Sequence, residues 1–236
     1  MGIRFPDPLV PARFLRRLNR FAALVELNGT RFRVHVCNSG RLRELLTAGR
    51  RVWLEPSRTP GRRTAFTLAL VQLRSGYVSA DAHLPNALVA EALGRGAITG
   101  LRGSRILRRE PRLGRHRLDF LLEGDGGVCL LEVKSVSLVR DKVALFPDAP
   151  TARGKAHLEV LAAARRHGEG AAVLFIIQRR DAHSFTPHYE ADPAFAVALG
   201  RAARAGVHVL AMRCRVSRYG VALDEPVPIR WPPQVQ

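Results

Sequence analysis

The sequence predicts a two-domain chain of mixed α+β and α/β class: a small β-barrel over residues 1–82, then a mixed sheet flanked by helices over residues 83–236. Three observations predict it. The first 82 residues carry short strand-like runs separated by turn residues, with little helical spacing. From His83 onward, helical spacing alternates with wholly apolar runs. With 236 residues, 47% of them hydrophobic, the chain is long enough to bury a proper core.

In the first part, "FAALVEL-NG-TRFRVHV" reads as a hairpin, because Asn28-Gly29 supplies the positive φ angles of a type I′ turn. On its second strand Phe32, Val34 and Val36 face one way, with Arg31, Arg33 and His35 opposite. A short helix opened by Ser39 follows, then "RVWLEPS", "RRTAFTLALVQLR" and "GYVSADA", which brings the strands to about five. Such a set suits a small closed barrel of the OB type, a fold that also suits a basic, nucleic-acid-binding surface.

In the second part, "NALVAEALGRG" has helical spacing, with Asn86 as its N-cap and Gly94 at its stop. "RILRREPRLG" and "HRLDFLLEG" read as a strand pair, and "GVCLLEVKSVSLV" as a buried strand. Thr151 caps a helix that ends at Gly168. "AAVLFIIQ" is a further apolar strand, "DPAFAVALGRAARAG" a helix, "VHVLAMRCRV" a last strand and "EPVPIRWPPQVQ" an extended tail.

Thirty-eight Lys and Arg against 20 Asp and Glu give a formal net charge of +18. Arginine bias explains why so few of the basic residues are lysine, but not the shortage of acids, so the charge points to an anionic partner, nucleic acid first. Both domains are basic, and no charged tail accounts for the total. Arg31, Arg33, Arg41, Arg62 and Arg63 are available to track a phosphate backbone, with Trp53 or Phe66 to stack on bases. Arg153 and Lys155, in the first turns of a helix, are further phosphate contacts. Cys37, Cys129 and Cys214 show no CxxC or Cys/His spacing, and the eight histidines no HxH or HxxxH, so neither a zinc site nor a disulfide framework is expected. The start lacks an apolar signal core and the longest apolar run, "AAVLFII", is far too short for a membrane span. The expectation is a cytoplasmic protein without a membrane partner.

The chemistry concentrates in "RLDFLLEGDGGVCLLEVKSVSL". Alternation puts Asp119 on the face opposite Leu118 and Phe120, and puts Glu132 and Lys134 together on one face of the next strand. If the two strands are neighbours, two carboxylates and an ammonium converge. The carboxylates with the main-chain carbonyl of Val133 make a hard-ligand site for Mg²⁺, with Mn²⁺ as the alternative. A phosphodiester could complete the shell. Lys134, Lys142 and Lys155 are the only lysines, and a compact ammonium can approach one water or one phosphoryl oxygen where a planar guanidinium cannot.

This arrangement resembles the PD-(D/E)xK nuclease superfamily, the restriction-endonuclease-like fold, with Asp119 and Glu132-Val133-Lys134 at the matching positions. The resemblance places Glu91, on the preceding helix, and Gln178, on the later strand, as auxiliary catalytic residues. Across nearly the whole chain "NSGRL", "PNALVAEAL", "RLDFLL", "EVKSVSL", "FPDAPTARGKAHL" and "LFIIQRRD" resemble the sugar fermentation stimulation protein A family, whose pattern carries an acidic residue where this chain has Ala152. That family implies an OB-like domain joined to a nuclease-fold domain, DNA binding with little sequence preference, and a link to the regulation of sugar use. Two classes of function follow: a Mg²⁺-dependent DNA nuclease, or a DNA-binding regulator that keeps the nuclease fold without cutting. RNA stays open as an alternative polymer, and the oligomeric state, a dimer included, is left open.

Overall fold

The structure is a computed structural model that describes residues 2–6, 8–58, 61–124 and 126–235. Strand β1 (Ile3–Arg4) stands apart from the barrel that follows it in sequence, and pairs instead with the last strand of the second domain. The barrel is built from β2 (Val10–Asn19), β3 (Ala22–Leu27), β4 (Thr30–His35), β5 (Arg51–Pro56) and β6 (Phe66–Leu73), and a parallel bridge between His35 and Thr67 closes the ring. A further strand, β7 (Gly76–Ser79), hairpins onto β6 outside the ring. Phe14, Val25, Val34, Leu54 and Leu68 fill the interior. Asn28 and Gly29, at φ 50° and 77°, make the tight turn between β3 and β4 that the sequence predicts.

Two expectations for this half are corrected. Strand β2 was not foreseen, because a register shift between Phe14 and Arg16 interrupts its alternation and arginines fill its outer side. The helix after Ser39 does not form. Leu42 takes a positive φ of 50°, Asn38 Oδ1 accepts from the Gly40 N–H, and the segment runs as turns in which Leu45 and Leu46 both donate to the Leu42 carbonyl.

The second domain opens with α1 (Leu84–Leu93), then β8 (Arg105–Arg109) and a small hairpin of β9 (Arg112–Leu113) and β10 (His116–Arg117). Next come β11 (Phe120–Gly124), β12 (Gly127–Val136), β13 (Val139–Arg140), β14 (Val143–Phe146), α2 (Ala152–Arg166), β15 (Gly170–Ile177), β16 (Ser184–Pro187), α3 (Pro193–Arg204), β17 (His208–Ser217) and β18 (Gly220–Pro226). The main sheet has the order β1-β18-β17-β15-β12-β11-β8. Strands β12, β15 and β17 are parallel and central, which explains the wholly apolar β15: helices and barrel cover both of its faces. One face packs on α1 and on Trp53 and Leu70 of the barrel; the other packs on α2 and α3. Thr151 and Asp192 cap α2 and α3 through their side chains, accepting from the N–H groups of Gly154 at 3.0 Å and Phe195 at 2.9 Å. Among the described residues no helix is long and apolar enough to cross a membrane.

The tail expectation is also corrected. Strand β18 joins the sheet, Ile229 bridges to Phe185, and Val235 is buried with its carbonyl accepting from Arg204 of α3. Its carboxylates hid it, since Asp224 and Glu225 read as loop residues but pair with arginines of β17. The minor sheet β13-β14-β16 was missed because its β13–β14 turn uses Asp141 and Lys142 at positive φ in place of a glycine signal.

Domain contact is polar as well as apolar. Asp148, just before α2, accepts through Oδ2 from the backbone N–H groups of Arg41 at 2.6 Å and Leu42 at 3.2 Å. Gly40 permits this approach, because a Cβ there would stand 2.9 Å from the same oxygen. Asp148→Ala is therefore expected to cost about 1–3 kcal/mol, and hydrogen exchange should speed up first at the amides of Arg41 and Leu42. Unchanged protection there would rule out the clamp.

Candidate functional site

Strand β12 offers Leu130, Glu132, Lys134 and Val136 to the face covered by α2, and Leu131 and Val133 to the face covered by α1. Strand β11 pairs with it antiparallel and begins at Phe120 opposite Leu131, so Asp119 falls beside Glu132. Asp119 Oδ2 accepts from the Val133 N–H at 2.7 Å, and Oδ1 from Asn86 Nδ2 at 2.7 Å. A strand residue projects its N–H and C=O to the same side, so the Val133 carbonyl leaves the strand on the edge that Asp119 occupies. Asn86 is not the cap that was expected. The helix starts earlier, after His83 with Pro85 in its first turn, which frees the Asn86 amide to hold Asp119.

Glu132 is 4% exposed. Its Oε1 lies 2.5 Å from Lys134 Nζ and 2.5 Å from His157 Nδ1, while its Oε2 is buried and accepts no hydrogen bond. Arg153 Nε approaches His157 Nε2 at 3.4 Å. In those contacts Nδ1–H donates to Glu132 and Nε2 faces the Arg153 donor. The ring of His116 meets that of His157 edge-on at 6.1 Å.

Electrostatics separate the two acids. Burial, seconded by the Glu132 charge, holds the Asp119 carboxyl above its ordinary range, against the opposing N–H groups of Val133 and Asn86 and the charge of Lys134. For Glu132 burial also raises, but the His157 hydrogen bond and the Lys134 ammonium outweigh it and hold the carboxyl below its usual value. The donors able to take a hard cation are Asp119, the unpartnered Glu132 Oε2 and the Val133 carbonyl, an all-oxygen set of the kind Mg²⁺-class ions prefer.

The other expected residues are placed elsewhere. Glu91 pairs with Arg95 at 3.1 Å on α1, about 140° around the helix from Asn86. Gln178 lies on the opposite face of the sheet from Glu132. It donates to Ser135 Oγ at 2.9 Å and to the Asp81 carbonyl at 2.7 Å, stitching β12 to the segment that joins the domains. Arg31 and Arg33 are exposed on the outer side of β4, and Arg62 and Arg63 are exposed ahead of β6. Arg41 and Arg153 line a cleft of about 1220 Å³ between barrel and second domain, together with Arg20 and Arg43. Lys155 faces solvent, 3.7 Å from Glu159. Neither proposed stacking residue is free: Trp53 is buried against the main sheet with Arg218 over its ring at 5.1 Å, and Phe66 packs edge-on against Phe32 at 5.8 Å.

Two residues outside the expected set take part. His157 belongs to the inward stripe Gly154, His157, Leu158 and Leu161, and a histidine inside such a stripe is the signal that marks it. Arg17 donates to the carbonyls of Asn19, Arg20, Asn38, Gly40 and Arg41, so it builds the cleft wall. The fold also gathers Cys37, Asp81 and His83, a grouping that no Cys/His spacing in the sequence announces.

Similarity to known proteins covers the whole arrangement. Family models described as "Sugar fermentation stimulation protein RE domain" and "SfsA N-terminal OB domain" match residues 83–220 and 15–80. The chain belongs to the sugar fermentation stimulation protein family. A homolog in this family from Moorella thermoacetica is 44% identical over 230 residues, covering 97% of this chain and 99% of its own. One from Chloroflexus aurantiacus is 44% identical over 222 residues, covering 94% and 86%. The solved structure of Pyrococcus furiosus SfsA in complex with Ca²⁺ superposes with a TM-score of 0.89 at 31% identity, covering 98% of this chain and 99% of that one. The family thus has an OB domain followed by a restriction-endonuclease-like domain, the fold class expected from the sequence.

Proposed function

We propose that this protein binds DNA along the arginine-lined cleft with little sequence preference, and that Asp119, Glu132 and Lys134 form a divalent-metal-dependent phosphodiesterase site beside it. The buried, unpartnered Oε2 of Glu132 carries this reading, since an anionic oxygen left without a donor in a dry site is costly unless a cation or substrate group meets it. A relative 31% identical was solved in complex with Ca²⁺, a hard cation of the same class.

Asp119, Glu132 and the Val133 carbonyl would hold Mg²⁺ or Mn²⁺. When bound, such an ion would lower the pKa of a coordinated water below the bulk value of about 15.7 and polarise a phosphoryl oxygen. Lys134 supplies a positive charge for the attacking water or the developing phosphorane charge. His157 holds the Glu132 carboxylate in one orientation, and Arg153, with the free N–H groups of the α2 start, draws a phosphate to the cleft edge.

A second reading has its own observation. Glu132 Oε1 is already saturated by Lys134 and His157, as in a closed structural ion pair, which suits a DNA-binding regulator of sugar metabolism that does not cut. Incubation of labelled duplex, single-stranded and overhang DNA with Mg²⁺, Mn²⁺ or EDTA separates the two. Metal-dependent cutting that disappears in Glu132→Gln is the expected result. DNA binding without cutting in either metal would favour the regulator, and tighter binding of RNA of equal length would redirect the substrate class. Backbone-driven binding should also weaken with salt at a log–log slope near −0.9 per neutralised duplex phosphate.

A further inference from the structure

We propose that Cys37, Asp81 and His83 form a separate site for a zinc-class divalent ion at the junction of the two domains. Cys37 follows β4, where the chain leaves the barrel wall, and its carbonyl accepts from the Ala82 N–H at 2.9 Å. That bond draws the connecting segment alongside, and the residues flanking Ala82 are Asp81 and His83. Cys37 Sγ stands 3.0 Å from His83 Nδ1, and Asp81 Oδ1 stands 3.9 Å from the same nitrogen. All three ligand atoms lie within 4.8 Å of one another. Ligand atoms at zinc bond lengths in a tetrahedron are about 3–4 Å apart, so one ion can reach all three with small side-chain adjustments.

The donor set chooses the ion. Thiolate and imidazole beside one carboxylate suit zinc, whereas the all-oxygen set at Asp119 and Glu132 suits Mg²⁺ or Ca²⁺. Burial and the Asp81 carboxylate push the Cys37 thiol up to about 12, so a bound ion must displace the thiol proton to the buffer, which a zinc-class ion does outright. Outer contacts hold the carboxylate in place: Asp81 Oδ1 accepts from the His83 N–H at 2.8 Å, and Gln178 donates to the Asp81 carbonyl. The His83 side chain is 85% exposed, which leaves an entry path and a fourth position for water.

An ion here would pin the end of β4 to the segment leading into α1, whose Asn86 holds Asp119. The site would therefore set the geometry between barrel and candidate active site, and it is independent of whether that active site cuts DNA.

The test uses full-length, tag-free protein stripped with EDTA and titrated with Co²⁺. One equivalent is expected to give a sulfur-to-cobalt charge-transfer band that Zn²⁺ abolishes stoichiometrically and that excess Mg²⁺ or Ca²⁺ leaves in place. Cys37→Ser should remove the band, His83→Ala should weaken Co²⁺ binding at least tenfold, and Glu132→Gln should leave it unchanged. Far-UV circular dichroism checks each fold, and His83→Ala, at an exposed side chain, decides alone if Cys37→Ser fails to fold. No thiolate band in the wild type, or a band that survives Cys37→Ser, would overturn the proposal, as would full-strength binding in His83→Ala.

Discussion

Lys134→Met is expected to lower the unfolding free energy by about 3–5 kcal/mol at neutral pH, and to remove any metal-dependent cutting. The Lys134 side chain is 12% exposed and that of Glu132 5%, so the pair sits where water cannot replace a lost partner. Its replacement would leave His157 as the one donor to a buried anion, which sets the loss nearer the lower figure. The pH dependence follows from Glu132. Its folded carboxyl is held below the ordinary value, so its contribution is fully present above the unfolded value of ~4.3, and is lost as pH falls through the folded value. Without the ammonium that depression shrinks, and the gap between wild type and Lys134→Met should narrow as the solution is acidified through the carboxylate range. Urea unfolding at neutral and acidic pH measures this. The double variant Glu132→Gln/Lys134→Met should recover most of the loss, because the uncompensated charge is gone; a double variant as unstable as Lys134→Met would show that packing, not charge, was at stake.

Much of this was readable because local chemistry and tertiary need agree. Asn28-Gly29 can hardly be anything but a tight hairpin turn, Thr151 and Asp192 have the side chains that helix starts require, and β15 is apolar on both faces because both are covered. The spacing of Glu132 and Lys134 puts both on one face of any strand. What failed was decided at a distance. The helix expected after Ser39 lost to Asp148, more than a hundred residues away, which takes the N–H groups of Arg41 and Leu42. Asn86 is no cap but donates to Asp119, while Gln178 and Glu91, assigned by resemblance to the site, donate at the domain junction and pair with Arg95 respectively. His157 and the trio Cys37, Asp81 and His83 stand outside the expected set for one reason: neither cluster has a characteristic spacing, since each is assembled by segments that meet only in the fold.

Divalent-metal affinity is expected to fall by about tenfold per pH unit on acidification, in a window above the ordinary aspartate value of ~3.9. Asp119 sets that window. A carboxylate must lose its proton to bind a cation, and burial together with the Glu132 charge holds the Asp119 proton on to a higher pH than usual. Glu132, held below its ordinary range, is already ionised there and contributes nothing to the slope. The sign of a second change follows. Asn86 donates to Asp119 Oδ1 and favours the ionised form, so Asn86→Ala should move the window to higher pH and weaken binding most in mild acid. Asp119→Asn should abolish high-affinity binding and its pH dependence together. Calorimetric titration of Mn²⁺ at a series of pH values measures all three proteins. An Asn86→Ala window displaced to lower pH would contradict the hydrogen bond's role, and wild-type affinity independent of pH throughout mild acid would mean that Asp119 is not the ligand that controls entry of the ion.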